Sequence, residues 1–266
     1  DSTLRGHYPL ETEVLKESIE GLSDVRFDGE VLIPFFKEGG RFTIDNVHYV
    51  QYDDQLVPAG ETEFAKDRTF GYRASDLGEY AEEKSNGKYK AKDATYLSLE
   101  DIRSLNIDGL VEQLMNVKDF NKVIVNATDY VDVKVFVIAL VSAMNAGKRF
   151  MFRSAAALTK VIGGVSDKPL LSRDELVDES RNHGGLIMIG SHVKKTTEQF
   201  EELKKCGFIH FIEFNVHLVL DEDAFQAEED RIVKEVNECI AKGQTVCVYT
   251  KRERLDLGEN KNEEEL

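Results

Sequence analysis

Cysteine is sparse. The 266 residues hold three, Cys206, Cys239 and Cys247. None forms a CxxC pair, and the spacings fit no zinc site. An odd, small set in a chain this size reads as reduced and intracellular. Bases are also short: 34 Lys and Arg stand against 50 Asp and Glu, a formal charge of −16. That sign repels polyanions, so nucleic acid and anionic membrane surfaces are poor partners. Proline occurs four times. The longest apolar run, VFVIALVSAM, is too short to span a bilayer. No signal peptide is visible, and a cytoplasmic location is expected. Both ends read as cut, so a lost targeting segment stays open. Familiar motifs are missing too. Ser142 stands where GxxxxGK would need glycine ahead of Lys148, and GxGxxG, HExxH and GxSxG do not occur. His7, His48, His183, His192, His210 and His217 show no metal spacing and read as structural or exposed.

What is present is a soluble globular composition, 41% hydrophobic and 32% charged, long enough for one large domain or two smaller ones. PLETEVLKESIEGL predicts a helix, with Pro9 in its first turn and an apolar face of Leu10, Val14, Leu15 and Ile19. GEVLIPFF reads as a buried strand, and EGGRFTIDNVHYVQYDDQLVP as a hairpin whose aromatics pack across strands. One short helix is expected near residues 75 to 85.

A βα rhythm follows. ATYLSL, NKVIVNATD and KRFMFRS are strands, and SLEDIRSLNIDGLVEQLMN and SAAALTKVIGG contain helices. YVDVKVFVIALVSAMNAG is apolar almost all round and predicts a buried helix. The sequon at Asn126 ends a buried strand and reads as chance. This alternation argues for an α/β fold with a mainly parallel, doubly wound sheet and a hairpin insertion, in residues 1–165. Residues 166–184 are polar and read as a linker. A second α/β segment, 185–266, starts with the buried strand GLIMIGS. It continues with the Thr-capped helix TTEQFEELKKCG, the strand-like FIHFIEFNVHLVL, the amphipathic helix EEDRIVKEVNECIAKG and the strand QTVCVYT. The tail GENKNEEEL is acidic. The basic stretches KYKAKD and KKTTEQFEELKK read as solvated faces.

Two stretches carry chemistry. In DSTLRGH, Arg5 offers a planar fork suited to a carboxylate or phosphate. Ser2 and Thr3 add hydroxyls beside a helix N-terminus, and Asp1 accepts from hydroxyls; together they suit a small polyhydroxy acid. By spacing alone, a helix cap with a surface arginine outweighs that reading. In GSHVKKTTEQ, Gly190 and Ser191 follow a strand where open α/β sheets bind ligands, and an ordinary βα turn weighs about equally.

Taken together, DSTLRGHYPLETE, VLIPFFKEGGRFTIDNVHYV, LVPAGETEFAKD, KRFMFRSAAAL and IGSHVKKTTEQ resemble the four-carbon acid sugar kinase family, in order along nearly the whole chain. The resemblance implies an acid-sugar-binding domain at 1–165, then an ATP-binding domain starting at 185. It implies transfer of the ATP γ-phosphoryl to a terminal hydroxyl of a tetronate or 3-oxo-tetronate, with Mg²⁺. Carried over by position, Asp1, Ser2, Thr3 and Arg5 bind substrate, with Arg5 on the carboxylate, and Ser191 contacts ATP. Glu61, Glu63 and Asp67 of ETEFAKD line the cleft without a defined role.

Two departures stand out. The family's acidic ADDFTGA-like loop would precede Asp1, and its Gly-rich phosphate element would follow Leu266. His192, Lys194 and Lys195 also differ from many members. An internal fragment, inactive by itself and with no identifiable catalytic base, is therefore expected. A non-catalytic binding module for small hydroxy acids and a plain α/β interaction protein are the alternatives. A homo-oligomer stays open.

Overall fold

The computed structural model describes residues 2–67, 69–178, 180, 183–253, 255 and 257. The chain divides after Lys168 into two compact units. The first runs α1 (Leu10–Leu22), β1 (Gly29–Ile33), β2 (Arg41–Ile44), β3 (Val47–Tyr52), β4 (Gln55–Pro58) and α2 (Leu77–Lys84). It continues through β5 (Thr95–Leu97), α3 (Leu99–Arg103), α4 (Ile107–Met115), β6 (Asn121–Val125), α5 (Tyr130–Asn145), β7 (Phe150–Ser154) and α6 (Ala156–Ile162).

Four of its strands form a parallel sheet in the order β5-β6-β1-β7. β1 is buried along its whole length, as expected for a parallel strand covered on both faces. Strand side chains alternate between faces. Val31, Ile33, Val123 and Val125 face the layer that holds α3 to α6. Leu32 and Ile124 face the other way and pack with Leu4, Tyr8, Tyr72, Leu77 and Tyr80. The sheet is doubly wound, as predicted.

The predicted hairpin gains a strand. β2, β3 and β4 make an antiparallel three-stranded meander. Asp45 and Asn46 both take positive φ, 49° and 69°, which closes the β2–β3 hairpin in two residues. Phe42 stands opposite Tyr49, a cross-strand pair as read from the sequence.

Two helices differ from expectation. On α1 the predicted apolar face is turned to solvent: Leu10 is 62% exposed and Leu15 54%. The sheet beneath supplies the reason. Neighbouring Glu30 and Lys122 are paired in register at the heart of the sheet, each 1% exposed, with Nζ 2.8 Å from Oε2. Nζ lies off the direction of a good hydrogen bond, so this is an ion contact. Glu30 completes its shell with the hydroxyls of Tyr8, at 3.0 Å, and Thr12, at 2.9 Å. A buried carboxylate left short of donors is more costly than exposed leucines, so α1 turns Thr12 inward. The Lys122 ammonium also lies 3.7 Å from the Tyr89 ring centre and 4.1 Å from that of Phe120. Burial pulls its pKa down. The second helix, α5, is buried on one side only, with Val131, Ile138 and Val141 exposed. Asn126 is buried and bonds Asn46 and the Leu97 carbonyl.

The second unit contains α7 (Arg173–Leu176), β8 (Leu186–Ile189), α8 (Lys194–Leu203), β9 (Ile209–Phe214), α9 (Glu222–Ala241) and β10 (Thr245–Thr250). Its strands are parallel in the order β8-β10-β9. Val246, Val248 and Ile212 pack on Ile232 and Val236 of α9, while Phe200 of α8 packs on Phe211 and Tyr249. Within the stretch read as linker lies the short helix α7, started by a Ser172–Glu175 capping box. Two expectations are corrected. β8 is an edge strand and is not buried; Met188 is 75% exposed. No threonine caps α8: the helix begins at Lys194 after Val193, so Thr196 sits inside its first turn. The acidic tail, 258–266, lies outside the described residues.

Candidate functional site

The loop at residues 2–6 lies over the Leu32–Ile124 face of the first sheet, and its backbone is held from three directions. His48 of β3 is wholly buried and contacts the Ser2 carbonyl through Nε2, at 3.0 Å. A carbonyl only accepts, so Nε2 carries the proton, and Nδ1 accepts from the Thr43 hydroxyl, also at 3.0 Å. Burial pushes the His48 pKa down to about 4, which keeps that neutral tautomer at neutral pH. The Tyr72 hydroxyl donates to the Thr3 carbonyl at 2.7 Å, and the Tyr80 hydroxyl donates to the Leu4 carbonyl at 2.8 Å. Leu4 itself takes φ 60°, a strained value for a γ-branched residue, and its buried side chain fixes it there.

Arg153, at the end of β7, closes the far side. Its Nη2 reaches the Arg5 carbonyl at 3.4 Å, its Nη1 lies 3.4 Å from Glu11, and its Cζ stands 4.8 Å from the Tyr8 ring centre. Gly6 explains itself against this group. It takes φ 140°, and a Cβ there would come within 2.8 Å of Arg153 Nη2.

The side chains that face outward are the ones the resemblance pointed to. Arg5 Nε donates to Thr3 Oγ1 at 3.3 Å, and Arg5 Nη1 is 3.7 Å from Asp67. The guanidinium lies against Phe64, with Cζ 5.3 Å from the ring centre. Thr3, Arg5 and Asp67 are thus brought together. Ser2 makes its contact through its carbonyl. Asp1 lies outside the described residues. Glu63 accepts from the Tyr52 hydroxyl, and that carboxylate raises the Tyr52 pKa after burial has done so. Glu61 is exposed at the end of a 3-10 turn. Burial lifts the Tyr72 hydroxyl to about 12, so it remains a donor to the loop.

Sequence reasoning missed Tyr72, Tyr80 and Arg153, and it read His48 as structural or exposed without placing it against the loop. A polar residue at an inward position of a strand, as His48 is in β3, was the available signal.

In the second unit Ser191 is exposed after β8, at the carboxyl ends of the parallel strands. Its hydroxyl receives the Thr196 hydroxyl at 3.3 Å and the Val193 N–H at 3.4 Å. Arg252, just past β10, donates through Nη2 to the Ser191 carbonyl at 2.7 Å and to Thr197 Oγ1 at 2.8 Å. Hydroxyls, a guanidinium and the start of a ten-residue helix meet there, a donor set that fits a phosphate group. Among the described residues, no group of three or more His, Cys, Asp or Glu is placed to hold a metal ion. No helix among the described residues is long and apolar enough to cross a membrane.

The family model described as a sugar-binding N-terminal domain matches residues 1–162. The chain belongs to that family. A second model, a nucleotide-binding C-terminal domain, matches residues 186–265. No curated protein matches the chain. Among solved structures, the fold resembles protein HI1011 of Haemophilus influenzae, of the DUF1537 family model, with a TM-score of 0.51 and 15% identity over 93% of this chain. It also resembles a Salmonella typhimurium LT2 protein with a provisional tRNA synthase label, with a TM-score of 0.59 and 12% identity over 94% of this chain. The chain spans 55% of the length of each. At such identities the likeness concerns the fold.

Proposed function

We propose that this chain supplies the acid-sugar pocket and the beginning of the nucleotide domain of an ATP-dependent kinase for four-carbon sugar acids. The division between them follows the boundaries read from the sequence, with the sugar domain at 1–165 and the nucleotide domain from 185. One observation carries the reading. A sugar-binding-family loop, braced by His48, Tyr72 and Tyr80, presents Arg5 and Thr3 beside Asp67. A guanidinium beside a hydroxyl and a carboxylate matches a ligand that has a carboxylate and several hydroxyls. Arg5 holds the carboxylate, while Asp1, Ser2 and Thr3 serve the sugar hydroxyls. ATP supplies the phosphoryl group, and Mg²⁺ neutralises its charge. Ser191 contacts the nucleotide from a loop that Arg252 secures.

Thermal shift of the chain with D-threonate, D-erythronate and a 3-oxo-tetronate, and separately with ATP, tests both halves. A ligand that binds only the native state raises the melting point. A rise with at least one acid and with ATP is expected. A flat response from a folded sample to all three acids sinks the sugar-acid reading. A flat response to ATP sinks the nucleotide one.

A further inference from the structure

Arg41, which opens β2, has no carboxylate within ion-pair distance among the described residues. Its Nη1 donates to the Gly39 carbonyl, and its Nε is closed off from solvent and has no acceptor among the described residues. Burial draws its pKa down, the mark of a cation short of compensation. The carboxylate whose field reaches it, Glu63, is already taken by the Tyr52 hydroxyl. Backbone carbonyls alone are a weak match for a planar, five-donor cation.

The position of this guanidinium gives it meaning. Arg41 Cζ lies 5.3 Å from the centre of the Phe64 ring, the same distance as Arg5 Cζ. The two guanidiniums therefore meet at one aromatic side chain, no further apart than twice that distance. Both also act on the Tyr72 hydroxyl, and each favours its ionised form. The only ion-pair partner of the two, among the described residues, is Asp67, 3.7 Å from Arg5. Arg5 thus has Asp67 as its ion-pair partner, while Arg41 has none within ion-pair distance among the described residues, in a chain of net charge −16. Like charges this close repel, and an anion between them reverses the sign of that interaction.

We propose that Arg41 is a second anion-holding residue of the pocket, gripping the carboxylate of the sugar acid together with Arg5 against Phe64. This rests on the sugar-acid reading and adds to it: the pocket selects the charged acid over a neutral polyol, and Arg41 carries much of that selection. A bidentate fork is specific for a planar carboxylate, which a lysine cannot reproduce.

Calorimetric titration of the full chain with D-erythronate, D-threonate and uncharged erythritol tests the proposal, with folding followed by circular dichroism. The unaltered chain is expected to bind an acid and to disfavour erythritol. Arg41→Gln is expected to weaken acid binding about 10- to 100-fold, the scale of one lost charged hydrogen bond. It should also narrow the gap between acid and polyol. Arg41→Lys, the safer variant for folding, is expected to fall between the two. A folded Arg41→Gln or Arg41→Lys that binds the acid as the unaltered chain does overturns the role of Arg41, while the sugar-acid reading stands. An unaltered chain that binds neither acid overturns both.

Discussion

The two loops that carry the candidate chemistry are built in opposite ways. The loop at 2–6 is held by side chains that are themselves buried. His48, Tyr72 and Tyr80 each reach a backbone carbonyl, and Leu4 fills the core beneath. The loop at Ser191 is exposed, and among the described residues its braces are Arg252, Thr250, the His192 ring and hydroxyls of the adjoining helix. The first arrangement fixes outward groups before any ligand arrives, which is how a selective pocket is preorganised. The second leaves an open shelf of donors at the strand ends. Alterations should therefore cost stability in the first loop and little in the second.

The largest effect is expected under the first loop. Lys122→Met leaves Glu30 buried without its counter-ion and should destabilise the chain by about 3–5 kcal/mol, read by urea unfolding. Pairing it with Glu30→Leu should recover part of that loss, since an apolar pair can replace a buried ion pair. No recovery in the double variant would show that the pair fixes α1 in some further way.

Next comes pH. His48 titrates near 4 in the folded chain and near its ordinary value of about 6.5 when unfolded. Between those values the unfolded chain binds a proton that the folded chain refuses. The His48 contribution is thus harmless above about pH 6.5, and stability falls as pH drops from there towards 4. The span amounts to about 3 kcal/mol. His48→Asn should be less stable at neutral pH, with a shallower loss on acidification in paired melting curves. Equal slopes would separate His48 from the acid sensitivity of the unit.

Tyr80→Phe removes one hydroxyl from the Leu4 carbonyl and should cost about 1–2 kcal/mol. At the bottom of the range, Ser191→Ala should change stability by less than about 0.5 kcal/mol while weakening ATP binding. A large loss of stability there would erase the contrast between the loops.

This contrast also marks what could be read in advance. The parallel sheet was legible because its strands are short apolar runs separated by helical periods. Arg5 and Ser191 could be singled out as candidates because each lies inside a motif. The braces were not. His48, Tyr72 and Tyr80 meet the loop from 46, 69 and 76 residues away, and no local pattern encodes such meetings. The α1 face was misread for a related reason. Hydrophobic periodicity counts the residues of a helix, while its orientation was decided by Glu30 and Lys122 on other elements. Met188 shows the same limit in β8, where an apolar run became an edge.

The chain contains no tryptophan, so its near-ultraviolet signal comes chiefly from its nine tyrosines. Tyr8 stacks on Tyr80 at 5.4 Å, and Tyr72 meets Tyr80 edge-on at the same distance. Two of the three hydroxyls bond the loop that bears Arg5. The binding loop thus comes with its own optical reporter. Its movements should register as tyrosine emission and near-ultraviolet dichroism without any introduced label. The reporter also stays legible in base, because burial lifts these phenols beyond their usual ionisation range.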